Sequence, residues 1–239
     1  MSILITICAR GGSKRVKDKN IREINGKPLI SYAIDLAKQW GRAKRIVCST
    51  DSEKIAEIAK KYGAEVPFMR SAYLSTGSIG KIEVIRDALV NCEKKYGEKY
   101  DIVVDLDITN PLKTKKDLDN CLRIFRKKNP EVLFSVVKAR RNPYFNMVEL
   151  NDKGFAEISK KPENFILRSQ DTPKVYDLNA SIYFYNRRFL LNPKNKFVLQ
   201  SKKAGIYVMN DICGADIDSE EDLKYIEFLL KNGAVEGVV

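Results

Sequence analysis

Two sets of side chains are spaced for chemistry: cations crowded around a glycine pair, and carboxylates set two residues apart. The segment Ile3–Asn20, ILITICARGGSKRVKDKN, ends a β-branched apolar run in Ala9-Arg10-Gly11-Gly12-Ser13 and then adds Lys14, Arg15, Lys17 and Lys19. Adjacent glycines let a turn bend tightly and let a ligand approach the main chain. Turn amides ringed by fixed positive charge make a seat for a polyphosphate. The spacing matches neither G-x-x-x-x-G-K-[ST] nor G-x-G-x-x-G, so a basic surface loop is the alternative. The carboxylates are Asp105-Leu106-Asp107 and Asp216-Ile217-Asp218. Residues two apart in extended chain project from one face. Like charges so placed need a counter-ion, and a hard divalent cation with oxygen ligands, such as Mg²⁺, is suited to the task. The plainer alternatives are that Asp218 precedes a Ser219 helix cap, and that Asp105 and Asp107 cap Thr109-Asn110-Pro111.

Other chemistries are excluded by composition. The 239 residues contain no histidine, which removes His-based triads, His general bases and zinc sites with His ligands. The five cysteines, Cys8, Cys48, Cys92, Cys121 and Cys213, lie far apart and form no C-x-x-C pair. Their odd number, with no leader-like segment, predicts a cytoplasmic protein with reduced thiols. No apolar run approaches the ~20 residues that span a bilayer, so no membrane association is expected. The net charge of +12 comes partly from doublets such as Lys60-Lys61, Lys94-Lys95, Lys160-Lys161 and Lys202-Lys203. Such doublets read as solvated faces. A nucleic-acid-binding module would need clustered cations with aromatic platforms, and these charges are scattered.

Alternating segments must position these groups. Apolar runs at Ile3–Cys8, Arg45–Ser49, Ala64–Phe68, Ile102–Leu106 and Val132–Val137 read as strands. Helices are predicted over Leu29–Trp40, Ser52–Lys61 with a Thr50-x-x-Glu53 capping box, Ile82–Lys95, and from a Thr114 cap with Asp117 to about Lys128. Regular β-α alternation predicts an α/β domain, a doubly wound, mostly parallel sheet with helices on both faces. The rhythm breaks over 138–176, where Met147–Leu150 and Phe155–Ser159 flank an Asn151-Asp152-Lys153-Gly154 turn and predict a hairpin. An Arg- and aromatic-rich segment of this kind either packs on a second subunit or forms a surface loop. Alternation resumes with strand Ser181–Tyr185, a short helix Arg187–Leu191, strand Gly205–Met209 and a final helix Ser219–Lys231.

Taken in order along the chain, Ala9–Lys14 with Lys19-Asn20, Ser49-Thr50-Asp51, Arg70 with Leu74, Thr109-x-Pro111-Leu112, Asn179-Ala180-Ser181-Ile182-Tyr183 and Asp216–Glu220 resemble the acylneuraminate cytidylyltransferases, the CMP-nonulosonate synthetases. Asp105-Leu106-Asp107, Arg140–Asn146 and Tyr176–Ser181 most resemble the legionaminic acid branch. The resemblance implies a single Rossmann-like nucleotidyltransferase domain over 1–239, with 138–176 an inserted dimerisation arm. It implies Mg²⁺-dependent transfer from CTP to a nine-carbon 2-keto sugar acid of legionaminic or sialic type. The implied catalytic groups are Arg10, Lys14 and Asp218. Arg10, Gly11, Gly12, Ser13, Lys14, Lys19, Asn20, Arg70 and Lys81 would bind nucleotide, and Asp107, Thr109, Asn179, Tyr183, Arg140 and Arg168 the sugar. Asp216 and Asp218, helped by Asp107, would hold metal. Two positions depart from the family pattern: Asp107 replaces a glutamine, and Gly77 replaces an aspartate. A metal-dependent glycosyltransferase, which also uses Asp-x-Asp, is the competing reading.

Overall fold

The computed structural model describes residues 1–239 apart from Lys14, Phe165 and Val239. Strand β1 (Ile3–Ala9) leads through the glycine turn to a two-strand ribbon, β2 (Glu23–Ile24) and β3 (Lys27–Pro28), and then to α1 (Leu29–Trp40). Next come β4 (Arg45–Thr50), α2 (Glu53–Tyr62), α3 (Lys81–Tyr96), β5 (Ile102–Leu106), α4 (Lys115–Lys128) and β6 (Val132–Lys138). A small hairpin, β7 (Val148–Leu150) with β8 (Ala156–Ile158), precedes β9 (Tyr176–Asn186), α5 (Arg187–Leu191), β10 (Ala204–Val208) and α6 (Glu220–Lys231). Among the described residues six strands form the main sheet, in the order β10-β6-β9-β5-β1-β4. Only β9 runs antiparallel to its neighbours there.

Period-two alternation builds a core on each side of that sheet. Ile3, Ile5 and Ile7 of β1 join Val104, Phe184 and the apolar faces of α1, α4 and α6 in one cluster. Leu4, Val103, Tyr183 and Tyr185 point the other way, against Ile82, Ile85 and Leu89 of α3. Along that second face each strand turns polar toward the site. Leu4 is followed by Thr6 and Cys8, and Val103 by Asp105 and Asp107. The register sets Leu4 beside Val103 and Thr6 beside Asp105, with Asp105 opposite Tyr183 on β9.

Local signals account for most boundaries. Thr114 with Asp117, and Ser219 with Asp222, form capping boxes at α4 and α6. Helix α2 starts differently from expectation. Its cap is Ser52, whose hydroxyl accepts from the Ile55 amide, while Thr50 accepts from the Ser52 amide. The strand expected over Ala64–Phe68 reduces to one bridge between Glu65 and Val47, because Pro67 has no amide to extend the ladder. Strand β9 begins earlier than Ser181, with a bulge against β6 near Ser135 and Ala180 in the left-handed region at φ 46°. Arg45 ties the β4 edge down: its guanidinium pairs with Glu98 at 3.1 Å and Glu65 at 3.0 Å. Hydrogen bonds from Arg45, then from the Tyr100 hydroxyl, pull the Glu98 carboxyl down to about 2.

Between β6 and β9 the chain makes its long excursion, which carries the predicted hairpin with Val148 opposite Ile158. Both ends are held on adjacent strands, with Lys138 paired to Tyr176. A cavity of about 550 Å³ at its root is lined by Lys138, Arg140, Arg141, Asn142, Pro173 and Tyr176, among others.

Candidate functional site

The carboxyl ends of β1 and β5 open onto one region, the usual ligand side of an open α/β sheet. The glycine turn starts there. Packing is tight at Gly11, where a Cβ would lie 3.1 Å from the Ser52 Cβ, whereas the space beside Gly12 is open. The Gly11 amide donates to Asp51 Oδ1 at 2.9 Å, and the Ser13 amide donates to the Gly11 carbonyl. Asp51 in turn faces Arg70 at 3.5 Å. Arg70 is buried, with Nε on the Ser75 hydroxyl and Nη2 lacking a hydrogen-bond acceptor. The turn is therefore braced from beneath by a carboxylate–guanidinium pair, and its Gly11 and Ser13 amides are already engaged. Asn20 is buried and donates to the Arg10 carbonyl at 2.9 Å, fixing the far side of the same loop. Lys14 lies outside the described residues. Gly77 faces Arg10: a Cβ there would sit 3.6 Å from Arg10 Nη1. An aspartate at position 77 would thus lie next to that guanidinium.

The second carboxylate pair folds against this turn. Arg15 lies 3.0 Å from Asp218, and Lys19 lies 3.5 Å from it while also donating to the Ile217 carbonyl. Asp216 is half-buried, and its Oδ1 has no hydrogen-bond partner. Burial pushes the Asp216 carboxyl up, as do the negative charges of Asp107 and Asp218, while a Thr109 hydrogen bond and Lys19 pull it down. An under-neutralised carboxylate with an orphaned oxygen fits a divalent cation. Among the described residues, no three His, Cys, Asp or Glu side chains group closely enough to cage a metal by themselves. The arrangement suits an ion of the Mg²⁺ kind, which takes one or two carboxylates and completes its shell with water and substrate phosphates.

The first pair is neutralised differently. Lys81, the first residue of α3, places its ammonium 2.8 Å from Asp105 Oδ2 and against Asp107 Oδ2, over the Tyr183 ring. Asp105 is fully buried and also accepts from the Thr6 hydroxyl at 2.7 Å. Asp107 Oδ1 accepts from the Thr109 amide at 3.1 Å and hydroxyl at 3.0 Å. Burial alone would raise the Asp107 carboxyl, but the Lys81 ammonium and the Thr109 amide hold it down at about 2. Burial likewise works against the Lys81 charge, and Asp105 with Asp107 overcome it, so its pKa lies well above the usual lysine value.

A polar clasp joins the two pairs. Lys113 is fully buried and donates to the carbonyls of Asp107, at 2.6 Å, and Asn110. Asn110 donates to the carbonyls of Cys213 at 2.6 Å and Ala215 at 3.0 Å. The Ile217 amide donates to the Thr109 carbonyl at 3.0 Å. Thus the 107–113 loop holds the segment bearing Asp216 and Asp218. Sequence reasoning missed Lys113 and Asn110 as parts of this region, and it placed Arg15 at the turn without its pairing to Asp218. Only the run Thr109–Lys113, a loop after a strand with two buried polar residues, could have pointed to the first two.

The structure gathers Arg10, Ser13, Lys19, Asn20, Arg70, Asp107, Thr109, Asp216 and Asp218 at this end of the sheet. Others differ from expectation. Lys81, expected on the nucleotide, is turned to Asp105 and Asp107 because those buried charges need it. Asp107, expected to help hold metal, has its oxygens occupied by Lys81 and Thr109. Asn179, expected in the sugar site, is buried with its amide on Ser135, Met209 and the Cys213 carbonyl. The bulge at Ala180 turns it into the core. Tyr183 is nearly buried beneath Lys81. Arg140 and Arg168 are on the excursion, Arg168 paired with Asp171 at 2.8 Å. Among the described residues, neither is bonded to the cluster.

The family model described as cytidylyltransferase matches residues 4–236. The chain is 46% identical over 229 residues to the post-translational flagellin modification protein B of Campylobacter coli, covering 96% of this chain and 95% of that protein. It is 44% identical over 228 residues to the CMP-N,N'-diacetyllegionaminic acid synthase of Campylobacter jejuni, covering 95% of this chain and 94% of that one. Among solved structures, CMP:2-keto-3-deoxy-manno-octonic acid synthetase complexed with CTP superposes with a TM-score of 0.69 at 20% identity, over 97% of this chain and 99% of the other. That likeness shows the fold.

Proposed function

The chain belongs to the cytidylyltransferase family, and from that premise we propose that it activates a nonulosonic acid of legionaminic or sialic type with CTP, releasing pyrophosphate. Nucleotidyl transfer leaves no place for the glycosyltransferase or nucleic-acid readings. The observation that carries the proposal is the meeting of Arg15 and Lys19, from the cationic segment after the glycine turn, with Asp218 of the second carboxylate pair. One set of groups suits a polyphosphate, and the other suits the cation that accompanies it.

The sugar's anomeric oxygen attacks the α-phosphorus, the α–β bridging P–O bond breaks with its electron pair leaving on pyrophosphate, and the hydroxyl proton passes to solvent. Positioning and charge neutralisation are the main contributions available to the protein in such a transfer. Arg10, Lys14 and Lys19 hold the triphosphate and stabilise the departing pyrophosphate. Asn20 fixes the loop, while Arg70 and Asp51 brace it near the nucleoside. Asp216 and Asp218 hold Mg²⁺, which when bound polarises the phosphate oxygens. Asp107 and Thr109 face the sugar.

We assign residues 138–176 as the dimerisation arm. Met147, Val148, Leu150, Phe155 and Leu167 are all exposed on it, an apolar display that a monomer would rarely leave to water. Arg140 and Arg168 travel with this arm and would reach a second chain's site. No helix among the described residues is long and apolar enough to cross a membrane.

Pyrophosphate release from CTP, assayed with a panel of nonulosonic acids and with Kdo, tests the reading. Legionaminic or sialic type acids should turn over best. Preference for Kdo, or no pyrophosphate with any acid, would refute it.

A further inference from the structure

We propose that Lys81 is a positioning residue that acts as the permanent counter-ion of Asp105 and Asp107. It thereby keeps a divalent cation off that pair and allots it to Asp216 and Asp218. The inference rests on the reading that nucleotide binds here with a divalent ion.

The geometry separates two Asp-x-Asp pairs that are alike in sequence. A carboxylate offers about four lone-pair sites. Asp105 gives its Oδ1 to the Thr6 hydroxyl and faces the Cys8 thiol at 3.5 Å, while its buried Oδ2, which has no hydrogen-bond partner, is ion-paired with the Lys81 ammonium at 2.8 Å. Asp107 gives Oδ1 to two Thr109 donors and Oδ2 to Lys81. Both carboxylates already have the Lys81 ammonium as counter-ion, and Asp105 has no exposed surface through which an ion could enter. Lys81 cannot easily move away either. It is anchored at the first turn of α3, whose neighbours Ile82 and Ile85 are buried. Withdrawing its ammonium would leave two facing carboxylates beside the Tyr183 ring. Removing one partner of such a buried arrangement is strongly unfavourable. The other pair has the opposite character. Asp218 is more than half exposed, with the exposed Arg15 and the largely covered Lys19 as partners, and Asp216 has a buried Oδ1 without a hydrogen bond and, among the described residues, no ion-pair partner. A cation arriving with a polyphosphate can displace Arg15 and Lys19 from Asp218, and those cations then have phosphates to receive them.

The consequence is a fixed charge pattern. Asp107 is held by Lys81 on one oxygen and Thr109 on the other, so it presents the same face to a substrate whether or not metal is bound. Lys81 acts through Asp107 on whatever substrate group meets it.

The test counts Mn²⁺ bound per chain by electron paramagnetic resonance at saturating CTP without sugar acid. CTP affinity is measured on the same samples. Asp107→Asn should leave the Mn²⁺ count unchanged from wild type, whereas Asp218→Asn should lower it. Lys81→Met should gain one further Mn²⁺ per chain at millimolar metal, and Lys81→Arg should restore the wild-type count. If Lys81→Met fails to fold, Asp107→Asn decides alone. A Mn²⁺ lost in Asp107→Asn with CTP affinity intact overturns the allotment, as does a folded Lys81→Met with no added ion. Failure of wild type to bind CTP overturns the functional reading instead.

Discussion

Lys113 offers a quantitative probe of the clasp beneath the site. Burial pushes its ammonium down from the usual 10.5 to about 8, with Asp107 opposing the shift. The folded chain therefore holds this proton more weakly than the unfolded chain does. Between these two values the unfolded chain binds more protons, so stability must rise with pH across that window. With about 1.4 kcal/mol for each tenfold difference in proton affinity, roughly 2 kcal/mol should be recovered between about pH 7 and about pH 9.5. Lys113→Met keeps an unbranched stem but has no proton to bind. At neutral pH its net effect is small, because relief of the buried charge offsets the carbonyls of Asp107 and Asn110 left unpaired, at about 1–3 kcal/mol each. The slope is the diagnostic quantity. Urea unfolding of both proteins across this range cancels the titration of the tyrosines they share, and the wild-type stability minus that of the variant should climb by the stated amount. A difference constant to within about 0.5 kcal/mol would show that Lys113 is not held as a buried ammonium, and the clasp as described would be wrong.

Other outcomes follow from the same geometry. Asp218→Asn should abolish turnover with Mg²⁺ while CTP binding, followed by calorimetry, survives; near-normal kcat would remove its metal role. Arg10→Ala should weaken CTP and lower kcat together, each hydrogen bond to a charged phosphate being worth about 1.5–3 kcal/mol, and unchanged steady-state constants would return the turn to plain basic surface. Arg45→Ala should let the Glu98 carboxyl climb from about 2 toward its usual value, read by carbon-detected NMR titration. In wild type that pairing stabilises the fold above the ordinary carboxylate range and is lost as pH falls through about 2, so the variant should show a shallower acid transition. Replacing the arm between Ala139 and Val175 by a short turn should yield a monomer by sedimentation; an unchanged mass would take the arm out of assembly.

The fold was largely legible because its signals are local. Continuous apolar runs marked β1, β4, β5 and β6, and Thr114 with Asp117 and Ser219 with Asp222 announced two helix starts. Asn151–Gly154 announced the hairpin. The failures share a cause in contacts distant along the chain. The bulge that starts β9 early and turns Asn179 inward arises from pairing with Ser135, more than 40 residues away. The sequence puts Asp105 and Asp107 on one face, but nothing in it shows that Lys81, 24 residues earlier, is already there. Nor does spacing distinguish a pair whose two carboxylates share one lysine from a pair in which only the exposed member has cations. Lys113 reads as an ordinary surface lysine beside Thr114, and only the closed loop around it reveals the buried amine.

The pairing of Lys138 with Tyr176 also bears on how such a chain can change. The excursion enters and leaves through one doorway, set by neighbouring strands rather than by its own contents. Closing that loop costs conformational entropy that grows only slowly with length. Residues between the two posts can therefore be lengthened, shortened or exchanged with little penalty to the sheet. The site residues are built on one end of the sheet, while the excursion hangs from another place on it. Selection, or a protein engineer, can change the length of the excursion while the sheet that carries it stays as it is.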